Sequence, residues 1–311
     1  MRVLLVDATN IFLRSYSVIP TMNRNGEPNG GVYGFLNSLG YYNRIIEPDK
    51  IILCWDGAHG SKRRRALVEN YKQGRKPTKL SRNFDHETVN EGQNKLEQRL
   101  RLNDYLNDLP VTQITVDDIE ADDIIATLWK HYEKEQKVIV SSDKDFFQLL
   151  DEKTVIHSPS AKCFINNKYV FEKFGIHARN FVVMRAIIGD KSDNLPGVRG
   201  IGIKNVLKYF PFFADEKKVQ IEQVISHAKN EGEKYDRFLQ NEELITNNLK
   251  VMRLDSSFIG FGSSQKIFQK LEEQISLNAT AFRVRLLEDE IDSLSDSYIA
   301  PFRILEAKGK E

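Results

Sequence analysis

Cysteine is nearly missing from this chain, with only Cys54 and Cys163 in 311 residues. Two cysteines are too few for a thiolate metal site and make no disulfide framework, so a reducing cytosolic setting is expected. No apolar run approaches the ~20 residues a membrane span needs, and the N-terminal apolar stretch meets Asp7 too early for a signal-peptide core. A membrane role is therefore not expected. Charge of one sign is also lacking: 45 basic side chains nearly cancel 44 acidic ones, while 41% of residues are hydrophobic, which excludes a disordered polyelectrolyte and favours a globular chain. The six histidines are scattered, and none has a Ser or Cys partner at a spacing that suggests nucleophilic catalysis. His59, near Asp56, reads as an ordinary polar loop residue. There is no internal repeat and no low-complexity tract.

What is present is an alternation of short apolar runs with helical patterns. Residues 3–6, 51–55, 138–141 and 154–157 read as strands, with 112–116 a weaker fifth; helical periodicity fills 32–46, 95–107 and 120–135. This predicts an α/β fold with a mostly parallel central sheet flanked by helices, its strand C-termini opening onto one edge where ligand sites gather. Residues 62–82 interrupt the pattern with nine basic side chains against Glu69 alone, and Gly74 and Pro77 place a bend there. After about residue 180 the pattern turns helical around a glycine-rich turn. The expected division is therefore a catalytic core, 1–180, with a basic arch segment at about 62–110, followed by a helical region, 181–311. The tail carries helical periodicity at 267–275 and 282–287 but no interpretable motif.

Carboxylates are the chemical signal. Asp7 and Asp56 each follow a strand directly, Asp143 and Asp145 follow a third, Glu120, Asp122 and Asp123 open a helix, and Asp190 and Asp193 precede the glycine turn. Any one of these is explained by turn, cap or helix-dipole preferences. Gathered at one sheet edge they need another explanation, because two like charges ~4 Å apart repel by about 4 kcal/mol at an effective dielectric of 20. Compensating cations are required, and all-oxygen donors point to Mg²⁺ or Mn²⁺ rather than zinc. Two such ions can clamp a phosphate, activate water and stabilise the departing oxygen, with no side-chain nucleophile.

In order along the chain, Gly31-Val32-Tyr33-Gly34-Phe35, Cys54-Trp55-Asp56-Gly57, Tyr71-Lys72 with Arg75, Glu120-Ala121-Asp122-Asp123, Ser142-Asp143-Lys144-Asp145 and the run 189–202 follow the strand that ends in Asp7. This ordered set resembles the 5′ nuclease superfamily of flap endonucleases, DNA polymerase I 5′ nuclease domains and phage 5′-to-3′ exonucleases, including the phage ribonuclease H of this type. The length is most similar to the phage members. The resemblance implies a PIN-like core with a helical arch, a C-terminal helix-three-turn-helix, and two Mg²⁺ ions for which Mn²⁺ can substitute. One ion would draw on Asp7, Asp56, Glu120 and Asp122 and the other on Asp143, Asp145, Asp190 and Asp193, with Asp123 in support.

The resemblance further implies that Lys72 and Arg75 face the scissile phosphate, where positive charge stabilises the transition state. Tyr33 would stack on an unpaired base, with core packing as the rival role. Lys62, Arg63 and Arg64 of the basic run are expected to contact nucleic acid. Gly197, Arg199, Gly200 and Gly202 of the turn, with Lys204, would grip a duplex by its phosphates, and carbonyls of the turn would take K⁺. The implied substrates are branched, nicked or primed DNA and RNA/DNA, cut by a monomer in the cytoplasm of a bacterium or phage-infected cell during primer and flap removal. A single-strand-binding protein and a sliding clamp are the candidate protein partners. Two rival readings are a catalytically silent junction binder, which would gain nothing from negative charge facing phosphates, and a PIN-like single-strand ribonuclease, which would not need the duplex-gripping turn.

Overall fold

A computed structural model describes the chain except for residues 85–88, 255–258, 292–293, 295 and 310–311. Its centre is a six-stranded sheet in the order β3-β2-β1-β4-β5-β6, formed by β1 (Arg2–Asp7), β2 (Lys50–Trp55), β3 (Thr112–Thr115), β4 (Gln136–Val140), β5 (Thr154–Ser158) and β6 (Cys163–Ile165). All pairs are parallel except β5 with β6. Strands buried on both faces have no polar alternation, which is why Val3, Leu4, Leu5 and Val6 are all apolar and at most 2% exposed. Their side chains still divide by the period of two: Val3 and Leu5 enter one core, Leu4 and Val6 the other.

The helices are α1 (Ala8–Val18), α2 (Gly30–Ile46), α3 (Lys62–Leu67), α4 (Glu91–Asn107), α5 (Ala121–His131), α6 (Asn167–Phe174), α7 (Phe181–Ile188), α8 (Ile203–Tyr209), α9 (Ile221–Asn230), α10 (Asp236–Leu239), α11 (Glu242–Met252), α12 (Phe261–Glu272), α13 (Ala279–Glu288) and α14 (Asp296–Lys308). The first core lies between one sheet face and the α5, α7 and α11 side. On the other face, α1, α2 and α4 are joined by α13 and α14. Helix α4 starts earlier than the apolar periodicity suggests because Asn90 caps it, accepting from the Gln93 backbone N–H at 3.2 Å.

The tail does not stay with the helices that precede it. Tyr298 donates to the Leu36 carbonyl at 2.9 Å, Tyr105 to the Arg285 carbonyl at 2.8 Å, and Arg101 pairs with Asp289 at 2.8 Å. Helices α13 and α14 thus contribute to the core that also holds α1, α2 and α4. In the basic segment, α3 and α4 are helical, while residues 75–80 form no helix or strand and are tied to α4: Lys95 reaches the Thr78 carbonyl at 2.7 Å, and Glu91 accepts from the Leu80 N–H at 3.0 Å.

Candidate active site

The strand order reverses between β1 and β4, and parallel strands end there on one edge, so the crevice outside their C-termini is where this topology places a ligand site. Asp7 ends β1 and caps α1, accepting from the Asn10 N–H at 3.1 Å. Its other oxygen accepts from Ser141 Oγ at 2.8 Å, and Ser141 Oγ in turn accepts from the Asp143 N–H at 3.1 Å, so one hydroxyl registers the ends of β1 and β4. Asp56, just past β2, donates its N–H to Thr9 Oγ1 at 2.9 Å and accepts from the Ala121 N–H at 2.8 Å, which docks the start of α5 against β2.

Asp7, Asp56, Glu120, Asp122 and Asp143 line a single cleft of ≈ 570 Å³ together with Lys72 and Arg75. Carboxylate oxygens of Glu120, Asp122 and Asp123 come within 4.8 Å of one another, and so do those of Asp145, Asp190 and Asp193. Five of the nine expected carboxylates thus share the cleft, while Asp123, Asp145, Asp190 and Asp193 are not among the residues that line it.

Each cluster holds an arginine. Arg185, on α7, lies 3.1 Å from Asp145 and also bridges to Asp190. Asp190 further accepts from the backbone and hydroxyl of Ser192 at 2.8 and 2.7 Å. Arg64 enters the other cluster and is 2% exposed, so it is corrected from a nucleic-acid contact to a buried partner of carboxylates. Asp123, expected in support, accepts from Arg64 on both oxygens, at 2.7 and 3.0 Å, is 3% exposed and does not line the cleft.

The other expected residues fall where their chemistry allows. Lys72 is half-buried with Nζ 2.6 Å from Glu120, and its backbone N–H donates to the Asp193 carbonyl at 2.9 Å, which links the two clusters. Arg75 is exposed at the cleft. Lys62 is exposed and pairs with Asp118 at 3.2 Å, and Arg63 is half-buried. Tyr33, in the first turn of α2, is half-buried against the second core. Gly197 is a packing position, since a Cβ there would lie 2.1 Å from the Ile188 backbone. Gly200, at φ +78°, and Gly202 have open space where a Cβ would go, and both are exposed with Arg199 and Lys204.

Sequence reading missed Arg185 and Ser141, and it named Tyr71 only as part of its motif, with no role for the hydroxyl that lies 3.3 Å from Glu120. Arg185 had a usable signal, because a lone charge inside the apolar run Phe181–Ile188 must find a buried partner.

Burial, with help from Asp56, pushes Asp7 up to about 7 despite its two hydrogen bonds. Burial with Asp143 beside it pushes Asp145 up to about 8 against the pull of Arg185. Asp122 and Asp193 are also raised, first by burial. Burial would raise Glu120 too, but Arg64 and Lys72 outweigh it and hold the carboxyl below its usual value. Carboxylates pushed toward protonation in this way are short of positive charge, and the donors facing the cleft are oxygens, so the residues fit hard divalent cations.

Residues 2–175 match the sequence family described as 5′-3′ exonuclease, N-terminal resolvase-like domain. A 5′-3′ exonuclease of Buchnera aphidicola subsp. Schizaphis graminum is 31% identical over 239 residues, covering 73% of this chain and 78% of that protein. The thermostable DNA polymerase I of Thermus thermophilus is 34% identical over 212 residues, 67% of this chain but 23% of its own length, so the chain spans about a quarter of that relative. Among solved structures, the T5 5′-exonuclease with bound zinc superposes with a TM-score of 0.71 over 88% of this chain and 99% of that one, at 20% identity, which is a likeness of fold.

Proposed function

This chain belongs to the 5′-3′ exonuclease family, and from that premise we propose that it is a structure-specific 5′ nuclease. It hydrolyses phosphodiesters at 5′ flaps, nicks and RNA-primed ends. The observation that carries this reading is the single cleft in which carboxylates from separate strands and helices meet Lys72 and Arg75. Such a pocket repels a phosphate backbone unless cations offset its charge, and a protein that only bound DNA would gain nothing from it.

Asp7, Asp56, Glu120 and Asp122 would hold one divalent cation, and Asp143, Asp145, Asp190 and Asp193 a second, with Mg²⁺ the expected ion and Mn²⁺ able to substitute. When bound, such ions supply Lewis acidity toward the phosphate and the attacking water. The chain's own residues set the geometry. Ser141 fixes Asp7 relative to Asp143, and the Ala121 N–H fixes Asp56 relative to the start of α5. Lys72, at the cleft and paired with Glu120, would offer its charge to a phosphate that enters.

Gly200 and Gly202, with Arg199 and Lys204, would let duplex backbone approach the start of α8, with K⁺ on carbonyls of the turn as a further expectation. Lys62 and Arg63 would add phosphate contacts, and Tyr33 would stack a base. The protein would act as a monomer in the cytoplasm, with a single-strand-binding protein or sliding clamp as candidate partners; among the described residues no helix is long and apolar enough to cross a membrane. Purified protein with Mg²⁺ and a 5′-labelled flap should release short products ending in 3′-hydroxyl. Asp143→Asn should stop cutting and spare binding, and full activity in excess EDTA would sink the proposal.

A further inference from the structure

Arg64 belongs to the basic run yet is 2% exposed, and the use of its guanidinium is specific. Nε donates to the Val251 carbonyl of α11 at 2.9 Å. Nη1 donates to Glu120 at 2.5 Å and Asp123 at 2.7 Å, and Nη2 to Asp122 at 3.2 Å and Asp123 at 3.0 Å. One planar fork thus spans three carboxylates of the first turn of α5, while its stem belongs to α3 at the base of the basic segment. Asp123 spends both oxygens on it. Glu120 and Asp122 each receive it on one oxygen, and both side chains line the cleft.

We propose that Arg64 is a positioning residue: it holds Glu120 and Asp122 in the arrangement that receives a divalent cation, and it makes that arrangement depend on the seating of α3 against α5 and α11. Three carboxylates within 4.8 Å repel one another, and without a resident cation they would turn apart toward water. A guanidinium corrects this in a way an ammonium does not, because its donors are fixed in one plane and can serve three acceptors at once. The anchor on Val251 keeps the fork from following a single carboxylate outward. The inference rests on the nuclease reading only for what the cation is used for; the effect on cation affinity stands apart from it.

The test uses the full chain as wild type, Arg64→Lys, Arg64→Met and the pair Arg64→Met with Asp123→Asn. Three quantities are measured: thermal midpoint, Mn²⁺ affinity without DNA from the paramagnetic resonance of free Mn²⁺, and single-turnover cleavage of a flap as Mg²⁺ is varied. Arg64→Met is expected to weaken Mn²⁺ binding ten- to a hundredfold and to raise the Mg²⁺ needed for half-maximal rate to match, the scale typical of residues that orient metal ligands. The paired variant removes the buried carboxylate left without its partner, so its thermal midpoint should recover while metal affinity stays low. Arg64→Lys should fold and still bind Mn²⁺ at least several-fold more weakly.

Recovery of both stability and metal affinity in the paired variant would reduce Arg64 to a structural residue and overturn the proposal. Should the methionine variants fail to fold, unchanged Mn²⁺ affinity in Arg64→Lys overturns it equally. A wild-type protein that binds Mn²⁺ but cuts no flap would remove the nuclease reading and leave the Mn²⁺ titrations to decide the role of Arg64.

Discussion

Lys72 Nζ stands 2.6 Å from Glu120 Oε1, so the cation expected to face a scissile phosphate is held by a carboxylate expected to serve a metal. Lys72 also sits at φ 55°, a left-handed conformation that costs a non-glycine residue energy, and its N–H is tied to the Asp193 carbonyl. The backbone is thus fixed between the two acidic clusters while the side chain can exchange one anion for another. Lys72→Met should lower the single-turnover rate on a flap by about 10²- to 10³-fold, the range for removing one donor to transition-state charge. Affinity for the same DNA in Ca²⁺ should change only a few-fold, because many cations share ground-state phosphate contacts. A loss in affinity as large as the loss in rate would show that Lys72 acts in binding alone.

The position of Asp7 makes a pH prediction. Burial and Asp56 raise it to about 7, from an ordinary value near 4 in the unfolded chain. The folded state therefore binds an extra proton between those values. Its stabilising contribution is complete below about pH 4 and is lost as pH rises through about 7. In EDTA the thermal midpoint should fall between pH 5 and 8 more steeply for wild type than for Asp7→Asn, in which that carboxyl cannot ionise. Divalent cation, which needs ionised Asp7, should recover more of the midpoint at pH 8 than at pH 6. Identical slopes for the two proteins in EDTA would refute the assignment.

How much of this was legible beforehand follows from what each residue touches. Apolar runs bounded by turns gave the five parallel strands, since a strand buried on both faces must be apolar throughout. The aspartates that end those strands share an edge because parallel strands share a direction. Arg64 was misread because a basic run looks the same whether a side chain meets water or three carboxylates, and only the packing of α3 beside α5 separates the cases. Strand β6 is three residues long and pairs with β5 alone, too short to carry a period. The destination of the tail was hidden because the polar groups that fix it, such as Tyr298 on the Leu36 carbonyl, act across 262 residues of sequence.

Glycines of the turn after α7 separate packing from binding. At Gly197 a Cβ would press on the Ile188 backbone at 2.1 Å, so Gly197→Ala should disturb the fold and lower the thermal midpoint. At Gly202, φ is −116° and no atom of the described residues would lie within 4 Å of a Cβ, so alanine should leave stability within about 0.5 kcal/mol of wild type. If duplex phosphate occupies that space, Gly202→Ala should still weaken binding to nicked DNA several-fold. Unchanged affinity in a normally folded Gly202→Ala protein would remove this glycine from the interface.

The tail supplies a test of how the chain divides. Were residues 181–311 a separate unit, cutting within them beyond Asp193, the last proposed metal ligand, would leave the α/β core intact. The packing argues otherwise. Phe282, Tyr298 and Phe302 are at most 3% exposed within the core that also holds Leu4, Val6 and Leu36. The fit is close enough that a Cβ on Gly40 would lie 2.3 Å from the Tyr298 ring. Phe302→Ala should therefore cost about 3–5 kcal/mol, as for other buried phenylalanines. Ending the chain after Leu277 should abolish a cooperative urea transition although no cleft residue is lost. A truncated protein that unfolds in one sharp step and still binds Mn²⁺ would show that the sheet and its first helices form a complete core without α13 and α14.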